Sequence, residues 1–432
     1  MNNDRVLAGF ARRCINPPRG ILMIGYGNRF RGNRGVHDDL TATVMVLKKG
    51  DQKVGIVALD LLAVHEDLTR DIEALCNMPL LLCCAHTHSA PMSTIVSPLA
   101  FRVHRYRKAL IQNICQAVDE ASALCQPAAF YWGEGQADIA VNRRERQPDG
   151  RVEIGVNPTG FVDRRAAVLE ARSSQGKVLG RLVNMQCHAT VMGPENLLVS
   201  ADWVGVMRRQ VEEQFGGLTL YIQGATGDLN PKINVGDAFE NVAQIGGEAA
   251  ASVAQILSET MSAIPVRELH LRRQDHWIPL QAPGQTTTPP KTYREVAKTI
   301  GLPSFLADTI LDFLYPWRTR LERKEGTWSF PIQLNLLDLG GFKLGAMGME
   351  VFTAIGMAVR EKLDAPGKMF ASLVNSCYGY LPTREEFELG GYETTSWQIY
   401  RMPGPLPPDA DQMAVDALMA LSGRASHSQE SI

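Results

Sequence analysis

The chain of 432 residues carries 45% apolar and 21% charged residues with a formal net charge of −2, which excludes a basic nucleic-acid binder and a protein drawn to anionic membrane. No apolar run reaches the ~20 residues that a membrane helix requires. The opening stretch "MNNDRVLAGFARRCINPPRG" has no secretory core, so the expectation is a cytoplasmic protein. In chain order, residues 40–64 read as two strands joined by a turn at Lys48–Gln52, and residues 105–124 as a helix with Leu110, Ile114, Ala117 and Val118 on one face. "GKVLGRLVNMQCHAT" reads as strand, "ADWVGVMRRQVEEQF" as helix, "LTLYIQGATGDLNP" as strand then loop, and "VAQIGGEAAASVAQIL" as helix. "FKLGAMGMEVFTAIGMAVREKL" gives strand, turn and helix; "KMFASLVNSCYGYLPT" gives strand then loop.

This alternation predicts an α/β fold with mixed β-sheets flanked by helices. Residues 1–422 are expected to form one catalytic domain. Pro and Thr cluster from residue 281, and an amphipathic stretch follows to about residue 326, which marks an insertion, either a lid or a plain connecting arm. The polar tail, 423–432, is expected to be disordered. Eight cysteines without a CxxC pair read as reduced core thiols rather than a disulfide framework or a zinc knuckle.

Several polar residues stand where an apolar strand gives way to a loop. His86 and His88 end "LLLCCAHTHSAP"; His188 ends "GRLVNMQC"; Asp228 follows "LTLYIQGATG". Glu350 follows "FKLGAMGM", and Tyr380 follows "ASLVNSCYG". Ligands of open α/β sheets bind outside the carboxyl ends of strands, so a metal site is expected there if the strands are neighbours. Imidazole and carboxylate suit zinc. Residues i and i+2 of a strand point to one side, so His86 and His88 could share an ion, or one could bind it while the other meets substrate. Each residue also has a plainer reading: His188 as a hydrogen-bonded core histidine, Glu350 as a helix-start carboxylate, Asp228 as a turn residue after Gly227.

Together these segments resemble the neutral/alkaline non-lysosomal ceramidase family, zinc amidohydrolases that split the amide of N-acylsphingosine. "HTHSAP" is similar to the family's HTHSGP, "CHAT" to its HP-T segment, "MGMEVFT" to its PGE-F turn, "VNRRERQ" to its NRSP segment, and "YLPTREEFELGGYE" to its tyrosine segment. The resemblance implies Zn²⁺ held by His86, His188, Glu350 and Tyr380, with His88, Tyr392 and Arg143 as catalytic residues. It implies a zinc-activated water attacking an amide carbonyl, an oxyanion met by Tyr392, and a leaving amine protonated by His88. Asp228 would hold an imidazole in its tautomer. Arg143 would orient a polar group of the substrate, or else is a solvated loop arginine.

The chain departs from the family where G-D-x-S-P-N reads "GDLNPK": Asn230 stands at the serine position. It also ends soon after the tyrosine segment, which leaves little room for the β-sandwich domain of full-length members. The substrate expected is therefore a lipid-like N-acyl amide or a small soluble amide, lactone or ester. A non-catalytic binding protein is the alternative of another class. No nucleic-acid partner is expected.

Overall fold

The computed structural model describes residues 5–29, 31–91, 101–282, 321–398 and 402–423. The inferred insertion at 281–326 and the tail 423–432 fall almost wholly outside them. The expected hairpin is present: Thr41–Lys49 pairs antiparallel with Gln52–Leu59 across a turn at Gly50 and Asp51, with Gly50 at φ 55°. It sits inside a nine-stranded sheet. Eight strands run in the order Leu218–Gln223, Val178–Met185, Arg165–Ser173, Gln126–Gln136, Leu7–Cys14, Thr41–Lys49, Gln52–Leu59, Leu80–Cys84; Ser262–Ile264 pairs with Gln126–Gln136.

Within this sheet the two outermost pairs are parallel, and the remaining pairs are antiparallel. The sheet also curves until Leu218–Gln223 meets Leu80–Cys84. A bridge between Thr87 and Ala189 then joins the segments that leave Leu80–Cys84 and Val178–Met185. Strand ends far apart in the sheet order are thereby brought to one place.

A second sheet contains Val266–Pro279, Thr327–Gly340, Phe342–Met347 and Gly367–Ala371, with Glu322–Lys324 on Thr327–Gly340. It packs face to face on the first: Leu337, Phe342 and Met369 share a core with Leu81, Cys83, Leu182 and Leu220. Helices Glu66–Cys76 and Phe101–Ala123 cover the first sheet through Leu68, Ile72, Leu110 and Ile114, which pack on Val44, Val57 and Leu82. Helices Thr353–Lys362 and Ala410–Ser422 cover the second sheet through Ile355, Val359 and Leu418. Each such aliphatic side chain contributes about 1.5–3 kcal/mol when fully buried. The result is the expected α/β architecture of mixed sheets between helical layers.

Cys83 and Cys84 face opposite sides of their strand, one into each core, as a period of two requires. All eight cysteines are unpaired, but Cys14 is exposed, so the core reading fails for that one. Among the described residues no helix is long and apolar enough to cross a membrane.

Candidate metal centre

The strand Leu80–Cys84 ends before the two histidines, which corrects the expectation that His86 and His88 share a strand face. His86 instead takes a left-handed backbone, φ 62°. That conformation costs a non-glycine residue on the order of 1 kcal/mol, and such residues cluster at functional sites. Its N–H donates to Leu61 O, and its Nδ1 lies 2.7 Å from Leu62 O. The chain then turns so that His88 N–H reaches Ala189 O, and the His86 and His88 rings meet edge to face at 5.0 Å.

His188 follows Val178–Met185 by three residues. Its Nδ1 lies 2.7 Å from Leu229 O. In both His86 and His188 the Nδ1–H therefore donates to a backbone carbonyl, which fixes the tautomer and leaves the lone pair on Nε2; in His188 that lone pair also faces Arg143 Nη1 at 3.4 Å. Backbone carbonyls do the work expected of Asp228. Asp228 is occupied elsewhere: its Oδ1 accepts from the Thr353 N–H at 2.7 Å and from the Thr353 hydroxyl at 2.6 Å, at the start of helix Thr353–Lys362. Burial pushes the Asp228 carboxyl up to about 6.

Glu350 does not begin that helix. It lies in a two-residue strand paired in parallel with Tyr380–Leu381, which sets Glu350 beside Tyr380. Gly227 allows this approach, since a Cβ there would lie 2.7 Å from Glu350 O. Glu350 Oε2 stands 3.3 Å from His86 Nε2 and 3.4 Å from His188 Nε2, yet accepts no well-formed hydrogen bond. Burial pushes its carboxyl up, but His86 and His188 outweigh that and hold it well below the usual carboxylate range. Burial and then the Arg143 guanidinium push His188 down to about 4. Two imidazole nitrogens thus converge on one buried carboxylate oxygen. Tetrahedral zinc with bonds of ~2.0–2.1 Å has ligand–ligand edges of roughly 3.3 Å, so these donors fit zinc.

His88 differs from both neighbours. Its Nδ1 and Nε2 are buried without a hydrogen-bond partner. Geometry alone groups it with His86 and His188 as a cluster that could hold a metal ion, because one nitrogen from each of the three lies within 4.8 Å of the others. Burial, with the neighbouring rings of His86 and His188, pushes it well below the usual imidazole value.

Tyr380 is buried, with the Arg143 guanidinium 5.3 Å from its ring centroid; burial and then the Glu350 charge hold its phenol well above the ordinary value. The Tyr392 ring meets it edge to face at 5.6 Å and is 37% exposed, so it lies on the rim. Arg143 is buried rather than solvated. Its Nε donates to Glu393 Oε1 at 2.9 Å, its Nη1 lies 3.4 Å from both His188 Nε2 and Asn230 Oδ1, and its Nη2 has no partner. All the expected site residues thus gather in one region, with Asp228 turned to the helix start.

Glu393 and Arg144 escaped the sequence reading. Glu393 is buried between Arg143 and Arg144, and Arg144 also binds Glu386 and the Gly390 carbonyl, which ties the Tyr392 segment to the site. The pairs Arg143–Arg144 and Tyr392–Glu393 were the available signal. Tyr26 and Arg29, which touch His88, gave none.

The model of the family described as neutral/alkaline non-lysosomal ceramidase, N-terminal, matches residues 9–260. The neutral ceramidase of Pseudomonas aeruginosa is 22% identical over 489 residues, covering 94% of this chain and 70% of that protein. The crystal structure of neutral ceramidase from Pseudomonas aeruginosa has a TM-score of 0.75 at 19% identity, covering 99% of this chain and 76% of that one. A ceramidase complexed with C2 has a TM-score of 0.76 at 18% identity, covering 99% and 77%. These structural likenesses concern the fold.

Proposed function

Because the chain belongs to the neutral/alkaline non-lysosomal ceramidase family, we propose that it is a zinc-dependent amidohydrolase that cleaves an N-acyl amide, with His86, His188, Glu350 and Tyr380 as the zinc ligands. The observation that carries this reading is Glu350 Oε2, set 3.3 and 3.4 Å from the Nε2 atoms of His86 and His188 with no hydrogen-bond partner among the described residues. Zinc, when bound, lowers the pKa of water to about 7 and polarises a carbonyl.

The side chains around these ligands divide the remaining work. Among the described residues His88 has no partner at either ring nitrogen, so one can accept the proton of the attacking water and pass it to the leaving nitrogen. The C–N bond breaks, a C–O bond forms, and carboxylic acid and amine leave. Tyr392 on the rim donates to the developing oxyanion. Arg143, held by Glu393, offers Nη2 to a polar group of the substrate. Asn230 brings a carboxamide against Arg143 and no nucleophilic oxygen, so no acyl-enzyme forms at this position and water attacks the carbonyl directly.

The test is a screen of zinc-loaded wild type and His86→Ala against N-acyl amides, ceramide included, and esters. Turnover by wild type and its loss in the variant are expected. Equal activity in the two proteins would sink the mechanism.

A further inference from the structure

Arg29 is 6% exposed, and among the described residues no carboxylate pairs with it. Its Nη2 donates to the His88 carbonyl at 2.6 Å, its Nη1 reaches the Asn196 carbonyl at 3.4 Å, and its Nε is buried without a partner. Its guanidinium lies 4.9 Å from the Tyr26 ring centroid. Burial pushes Arg29 down to about 10, which leaves it cationic at neutral pH. The other buried arginines among the described residues are paired: Arg107 with Asp71, Arg143 and Arg144 with Glu393, Arg181 with Glu170, Arg208 with Asp60, Arg360 with Asp163.

A buried cation without a counter-charge is costly, and carbonyls alone satisfy it poorly. A guanidinium with a spare donor recognises carboxylate and related anions. The proposed role of His88 sets which end of the substrate Arg29 would meet. Arg29 holds the main chain of His88, the residue assigned above to protonate the leaving nitrogen.

We infer that Arg29 is the counter-charge for an anionic group on the amine side of the substrate, so that the preferred substrate is an N-acyl amine bearing a carboxylate or a similar anion, as in N-acyl amino acids. This rests on the amidohydrolase reading above. It separates the chain from hydrolysis of N-acylsphingosine, whose amine side carries hydroxyls.

Calorimetry on the zinc-loaded protein tests the inference without relying on turnover. The ligands are an N-acyl amino acid and the same compound as its primary amide. The wild type is expected to bind the carboxylate about tenfold or more tighter than the amide, Arg29→Gln to bind both alike, and Arg29→Lys to keep part of the preference. A sulfonate analogue in place of the carboxylate separates any anion from a carboxylate as the group recognised. Wild type without a preference, or a preference undiminished in Arg29→Gln, would overturn the inference. If Arg29→Gln does not fold, wild type and Arg29→Lys decide. A preference without hydrolysis of either ligand would keep the anion site and sink the hydrolase reading; hydrolysis without a preference would do the reverse.

Discussion

The two sides of the centre are built differently. On one side, His86 and His188 are clamped: each gives its Nδ1–H to a backbone carbonyl, and each aims Nε2 at the same carboxylate oxygen. On the other side, His88 has no hydrogen bond at either nitrogen. It is held by its backbone, through Ala189 and Arg29, and by the edges of the Tyr26, His86 and His188 rings at 4.9, 5.0 and 5.9 Å. A ligand must present one lone pair in a fixed direction, which a hydrogen bond on the opposite nitrogen secures. A ring that moves a proton must keep its nitrogens available. Under the proposed mechanism the same residue type serves two purposes within 4.8 Å, and its hydrogen bonds distinguish them.

This contrast is open to attack at two strengths before the metal itself is measured. The larger effect is expected from His88→Ala, which should lower kcat on the order of 10²- to 10⁴-fold, the usual worth of a general acid or base, with the unfolding temperature little changed. Steady-state kinetics beside a thermal melt check it; a kcat within a few-fold of wild type would erase the distinction. The smaller effect is expected from Gly25→Ala. Gly25 has φ 118°, and a Cβ there would lie 2.8 Å from His88 Cγ. Backbone strain and the displaced ring should together cost about 1–3 kcal/mol in denaturant unfolding. Activity should fall further than that loss explains, since the ring that shifts is the one at work.

The family signal was legible because the chemistry-bearing residues stand beside strands, and strands announce themselves by apolar runs. "LLLCCA" placed His86 and His88, and "FKLGAM" placed Glu350 near a strand end. The pairing of those ends was not legible. It depends on the curvature that brings Leu218–Gln223 to Leu80–Cys84 and on a two-residue parallel ladder joining Glu350 to Tyr380; neither leaves a periodic trace. The left-handed turn at His86 was hidden for a related reason, because a histidine in that conformation looks like any other in the sequence.

Asp228 shows the opposite failure. Asp228 in "GDLNP" was expected to hold an imidazole, and its carboxylate serves the first turn of helix Thr353–Lys362, 125 residues away. Arg29 was overlooked because a basic residue in "GYGNRFRGNRG" looks solvated. Its burial, and the lack of a carboxylate beside it among the described residues, are facts of the fold alone.

The central claim, that the clamped histidines bind the ion and the free one does not, is tested most directly by zinc stoichiometry after equilibration and desalting of wild type, His86→Ala and His88→Ala. One zinc per chain in wild type and in His88→Ala, with almost none in His86→Ala, is the result predicted. Loss of zinc from His88→Ala as complete as from His86→Ala, or no zinc in wild type, would contradict it.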